Sequence, residues 1–128
     1  MPEPLHALLV ALVEDDPRLQ QLVSAEVIDE GHQCRCFGSA EDFLKSLNQQ
    51  RFDLVLLDLM LPGMDGIDCL IQLKQHSPSE DSPRVVMVTA LNDADRRKRA
   101  LANGAEDYVL KPDLFDRLPE LLLQRDRS

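Results

Sequence analysis

Apolar residues are arranged along this chain in two ways. Leu8 to Val13, Leu54 to Leu57 and Val85 to Val88 are unbroken runs bounded by charge or turn residues. Runs this short and this rich in Leu and Val predict strands covered on both faces, as in a parallel sheet. Gln33 to Phe37 is less apolar and predicts an edge strand, and Asp107 to Leu110 a last short one. Between the runs the spacing becomes helical. Asp16-Pro17 has the form of an N-cap followed by proline at the first helical position, with Leu19, Leu22, Val23 and Val27 at helical intervals and Gly31 as the stop.

Ser39 caps a second helix with Ala40, Phe43, Leu44 and Leu47 inward, and Asp42 comes close to completing a capping box. Asp65 caps a third, with Ile67, Leu70 and Ile71 inward. The segment His76 to Pro83 is polar and rich in turn residues, which predicts an exposed loop. Asn92 to Ala102 predicts a polar helix in which only Ala94 and Leu101 line up a heptad apart. Gly104 stops it. In the last helix Leu114, Leu118, Leu121 and Leu122 hold helical spacing, and Asp116 as N-cap would place Pro119 in the first turn, where its missing N–H costs no intrahelical bond. Strands alternating with helices five times over make this an α/β domain, a parallel sheet with helices on both faces.

At 128 residues the chain is expected to be one domain, large enough to bury a single core. A net charge of −9 argues against this domain gripping a phosphate backbone. No apolar run approaches membrane-spanning length and the first residues do not form a signal peptide, so the expectation is a cytoplasmic protein with no membrane segment. Cys34, Cys36 and Cys69 are an odd number, read as buried thiols in a reducing compartment. They do not have zinc-ligand spacing.

The candidate chemistry lies where the strands end. Asp58 closes the run Leu54 to Leu57. Asp is costly to bury unpaired, so it needs solvent, a cation or a hydrogen-bonding site beyond the strand, and either a turn cap or a ligand-holding carboxylate fits. In open parallel sheets ligands bind at the carboxyl ends of the strands. The first strand ends in Glu14 and Asp15, the fourth in Thr89, the fifth in Lys111. Three carboxylates on one sheet edge call for a positive charge, and an all-oxygen cluster suits a hard ion such as Mg²⁺. Lys111 could hold a phosphate or carboxylate, and the Thr89 hydroxyl could donate to a phosphoryl oxygen.

Four segments in order carry a resemblance: Val13-Glu14-Asp15-Asp16-Pro17, Leu57-Asp58-Leu59-Met60-Leu61-Pro62-Gly63-Met64-Asp65-Gly66, Val88-Thr89-Ala90, and Gly104 through Lys111-Pro112. Together they resemble the receiver domain of two-component response regulators over residues 8–123, with 124–128 as a tail or the start of a linker. The resemblance implies a CheY-like, doubly wound five-stranded fold of strand order 2-1-3-4-5. It implies Asp58 as phosphoacceptor, taking a phosphoryl group from a phosphohistidine on a sensor histidine kinase or a histidine phosphotransfer protein. Glu14 and Asp15 would hold Mg²⁺ with Asp58 and the backbone carbonyl of Met60, Asp15 as the more direct ligand. Thr89 and Tyr108 would form a switch pair that changes the face of helix 4, strand 5 and helix 5. The family usually has a cis Lys-Pro bond, here Lys111-Pro112.

The same resemblance implies self-catalysed aspartyl phosphorylation and dephosphorylation rather than turnover of external substrates. Its partners would be a downstream protein, a fused output domain, or a second copy in a phosphorylation-dependent homodimer. The basic run Arg96 to Arg99 reads first as a solvated helix face and second as a surface for an acidic partner. Two rivals stand beside this reading. One is a phosphorylation-independent binding module on the same fold, against which the full set of site residues argues. The other is a Mg²⁺-dependent phosphohydrolase, which would need a second acid two residues after Asp58, where the chain has Met60.

Overall fold

The computed structural model describes residues 7–76 and 82–123. Five parallel strands form one sheet: β1 Leu9–Val13, β2 Gln33–Phe37, β3 Leu54–Asp58, β4 Arg84–Thr89 and β5 Asp107–Leu110, in spatial order β2-β1-β3-β4-β5. Five helices alternate with them: α1 Pro17–Asp29, α2 Ala40–Ser46, α3 Gly66–His76, α4 Ala94–Ala102 and α5 Leu114–Leu121.

Side chains alternate across each strand, so one strand feeds two cores. Val10, Leu12, Leu54, Leu56, Val86 and Val88 pack on α1 and α5 through Val23, Val27, Leu114, Leu118 and Leu121. Ala11, Val13, Val55, Leu57, Val85 and Met87 pack on α2, α3 and α4 through Phe43, Ile67, Leu70, Leu73 and Ala100. Every residue of β3 is buried because this strand is central and helices cover it from both sides.

The expected caps are in place. Asp16 accepts the Arg18 amide at 2.9 Å with Pro17 opening α1, Ser39 accepts the Asp42 amide at 3.1 Å, and Asp65 accepts the Ile67 amide at 2.7 Å. The loop from β3 to α3 contains two glycines with different roles. Gly63 takes φ +86, a left-handed turn. Gly66 permits close approach: a Cβ there would lie 2.4 Å from the Asp58 carbonyl oxygen and 2.7 Å from Leu59 Cα. Its amide bonds Leu59 O at 2.9 Å, which draws the start of α3 against the end of β3.

Four expectations from the sequence need correction. The chain enters α5 three residues early, through a 3₁₀ turn at Lys111–Asp113, and Asp113 rather than Asp116 occupies the N-cap position. Pro119 is therefore inside the helix, at its sixth residue, and forfeits the bond its amide would have made to Phe115. Burying Leu114, Leu118 and Leu121 on the sheet outweighs that loss. In α1, Leu22 points outward at 59% exposure while Val23 and Val27 are sealed.

In α4, Ala94 and Leu101 face solvent and Ala100 is the buried contact, because a helix lying at the sheet margin needs only a narrow apolar stripe. Among the three thiols only Cys69 is fully buried. Cys34 is half-buried and Cys36 exposed, since β2 is an edge strand covered incompletely. Burial pushes the Cys34 and Cys69 thiols up to about 12, which disfavours the reactive thiolate. The expected polar loop falls largely on residues 77–81, and the tail on 124–128, both outside the described residues. No peptide bond among the described residues is cis, Lys111-Pro112 included. No described helix is long and apolar enough to cross a membrane.

Candidate functional site

Strand register assembles the site. Val13 pairs with Leu57, so Glu14 and Asp58 leave the sheet side by side. Asp58 pairs with Val88, so Thr89 is one step beyond it, and Thr89 pairs with Leu110, so Lys111 follows. All the strand-end residues singled out by sequence reach one edge of the sheet.

Lys111 Nζ sits between two carboxylates, 3.0 Å from Glu14 Oε1 and 3.2 Å from Asp58 Oδ2. Glu14 and Asp58 are almost sealed from solvent, whereas Asp15 is exposed. The remaining lone pairs are met by the backbone: Asp16 donates to Glu14 Oε2 at 2.9 Å and Met60 donates to Asp58 Oδ1 at 3.1 Å. Burial raises the Glu14 carboxyl above its ordinary range, and the Asp58 charge adds to this against the lowering pull of Asp16 and Lys111. For Lys111 burial works downward, but Glu14 and Asp58 together outweigh it and hold the ammonium above the ordinary lysine value.

One lysine thus faces two buried acids and an exposed one. Carboxylate oxygens of Glu14, Asp15 and Asp58 lie within 4.8 Å of one another. An all-oxygen donor set with excess negative charge and an exposed member fits a hard divalent cation that retains waters.

Thr89 is fully buried, and its Oγ1 accepts the Leu91 amide at 3.0 Å. Tyr108 is also buried, at 6% exposure, and its hydroxyl donates to the Leu91 carbonyl at 2.8 Å. Burial, with Asp93 nearby, raises the Tyr108 phenol. Leu91 therefore touches both members of the expected pair through its own peptide groups. Sequence reasoning missed it because a backbone link carries no side-chain signature.

Arg96 was missed as well. It belongs to the basic run that read as solvated, yet its Nη1 lies 3.5 Å from Met60 Sδ and 3.9 Å from Asp65 Oδ2, and its Nε lies 3.6 Å from Asp93 Oδ2. Its place one turn into α4, after the Asp93 cap, was the only available hint.

In doubly wound parallel sheets ligands bind outside the carboxyl ends of the strands, which is where this acidic cluster and its lysine lie. Comparison with known proteins identifies the branch. The family model described as the response regulator receiver domain matches residues 10–123, and the chain belongs to that family.

Among curated relatives, the transcriptional regulatory protein AfsQ1 of Streptomyces coelicolor is 37% identical over 101 residues, 79% of this chain and 43% of its own length. The DNA-binding response regulator MtrA of Mycolicibacterium smegmatis is 39% identical over 103 residues, 80% of this chain and 43% of its own. The chain thus spans less than half the length of these relatives. A solved receiver domain protein, CheY-like, from Methanospirillum hungatei superposes with a TM-score of 0.80 at 25% identity, covering 91% of this chain and 94% of the other.

Proposed function

We propose that Asp58 is the phosphoacceptor of this receiver domain and that the charge surplus around it is what phosphorylation exploits. The observation that carries the reading is the Lys111 ammonium held between Glu14 and Asp58 at the carboxyl edge. An Asp58 oxygen attacks phosphorus as the bond to the donor nitrogen breaks, its electron pair leaving on the imidazole of a phosphohistidine. Lys111 offsets charge on the transferred oxygens, and the Met60 amide orients the acceptor carboxylate. Glu14, Asp15 and Asp58, with the Met60 carbonyl, would hold Mg²⁺, Asp15 most directly, and the bound ion supplies further neutralisation of the phosphoryl group. The donor is a sensor histidine kinase or a histidine phosphotransfer protein in the cytoplasm, and the chemistry is limited to self-phosphorylation and slow self-dephosphorylation.

The output reading rests on Leu91. When the Thr89 hydroxyl turns to a phosphoryl oxygen, the Leu91 amide loses its acceptor, and the same peptide segment holds the Tyr108 hydroxyl. Both changes reach the face of α4, β5 and α5. MtrA is named as DNA-binding and AfsQ1 as transcriptional, so a fused or separate output partner, or a second copy of this domain, is what this face would control.

Intact mass after incubation with acetyl phosphate tests the site. Wild type gains one base-labile phosphoryl group in the presence of Mg²⁺, and Asp58→Asn gains none. An unmodified wild type would leave the phosphorylation-independent binding module as the better reading.

A further inference from the structure

The cysteines take no part in the reaction above, and two of them lie together. Cys34 and Cys36 alternate along β2, so both side chains leave the same face of the strand, toward α1. Ser24 and Gln20, about one turn apart on that helix, meet them there. The Ser24 hydroxyl hydrogen-bonds the Cys34 sulfur, and Cys36 Sγ lies 3.9 Å from the Gln20 carbonyl oxygen. The two sulfurs are close enough for each to shift the ionisation of the other. Because β2 is an edge strand, Cys36 is exposed, with Cys34 half-buried behind it.

A disulfide does not suit this pair. Alternate residues on a strand stand about 6.6 Å apart with parallel Cβ vectors, whereas a disulfide brings its Cβ atoms to about 3.8 Å. Two such sulfurs can instead flank an ion placed between them. Zinc would take four ligands, and among the described residues no third His, Cys, Asp or Glu joins the pair. Two soft sulfurs without a third donor match a soft monovalent ion that accepts linear coordination, Cu(I).

We infer that Cys34 and Cys36 form a two-coordinate Cu(I) site on the edge of the sheet. Each thiol gives up its proton as its sulfur binds, so one ion enters, two protons leave and nothing is oxidised. Burial holds both thiols above their ordinary range, so at neutral pH both protons are in place and the ion has to displace them. Exposure of Cys36 gives the ion its way in, and Cys34 then holds it against α1. The acidic cluster does not compete for it. Glu14, Asp15 and Asp58 offer only oxygen, which suits a hard ion, while the sulfur pair suits a soft one.

The test is anaerobic titration of the full chain with Cu(I) against the chromophoric chelator bicinchoninate, in wild type, Cys34→Ser and Cys36→Ser. Wild type should take one ion per chain, and calorimetry in buffers of different protonation enthalpy should show two protons released with it. Losing even an outer partner of a metal ligand costs about 10–100-fold, so losing one of two direct ligands should cost at least about a hundredfold in affinity. Cys36 is exposed, so Cys36→Ser keeps the fold and decides the matter even where Cys34→Ser does not fold. Cys69 is present in both variants, so wild-type affinity in Cys36→Ser would assign the ion elsewhere and overturn the inference. Failure of wild type to compete for Cu(I) overturns it as well, as does one ion shared between two chains, seen as a doubled mass in light scattering.

Discussion

The two edges of the sheet handle charge in opposite ways. At the amino edge charges are closed off. Arg84 forms a two-pronged pair with Glu106, at 3.0 and 2.9 Å, and donates to the Leu121 and Leu123 carbonyls at the end of α5. There Asp53 accepts the Leu9 amide at 2.8 Å. At the carboxyl edge, Glu14 and Asp58 share Lys111 with Asp15 close by, and burial raises Glu14. One edge is electrostatically settled and the other is held in imbalance. Such imbalance costs stability and persists where a ligand or a reaction relieves it.

Lys111→Met should break the contrast most. It leaves two nearly sealed carboxylates without their cation, and urea unfolding near neutral pH should show a loss of about 3 kcal/mol. The pH profile gives a second reading. A lysine held above its ordinary value stabilises fully below that value and loses the contribution as pH rises through its folded value, so the wild-type advantage over Lys111→Met should shrink in strong alkali. An advantage that persists unchanged there would mean that charge is not what Lys111 contributes.

At the opposite edge Arg84→Met should cost less, about 1.5 kcal/mol, because the group is partly solvated and its partners can rehydrate. Phosphorylation of Asp58 should proceed at the wild-type rate. A slowed reaction would show that the two edges are coupled.

Asp58→Asn should give the smallest effect, and of the opposite sign. Removing one of the crowded carboxylates relieves Glu14, and chemical denaturation should show a gain of about 0.5–1 kcal/mol. A loss of stability would mean that the pair with Lys111 outweighs the repulsion.

The strand ends were legible in the sequence because a buried strand has to be apolar and any charge at its terminus stands out. Glu14, Asp58 and Lys111 are conspicuous for that reason, and Thr89 as a hydroxyl closing an apolar run. Less was legible where burial is narrow. α4 seals only Ala100, too little to set a period, and α5 starts early because Leu114 is already drawn onto the sheet after the Lys111–Asp113 turn. Leu91 could not be read at all, and Arg96 only as a member of a basic run following the Asp93 cap. Their importance comes from α4 and the β4–α4 connection closing over the site, which no local pattern encodes.

The matched register of β1, β3, β4 and β5 also limits how the length of this chain can change. Adding one residue within β3 would turn Asp58 to the opposite face of the sheet and exchange the two cores' side chains at once. A residue added between α2 and β3, where several positions are exposed, would be absorbed without moving a strand end. Insertion and deletion are thus confined to the connections between the elements.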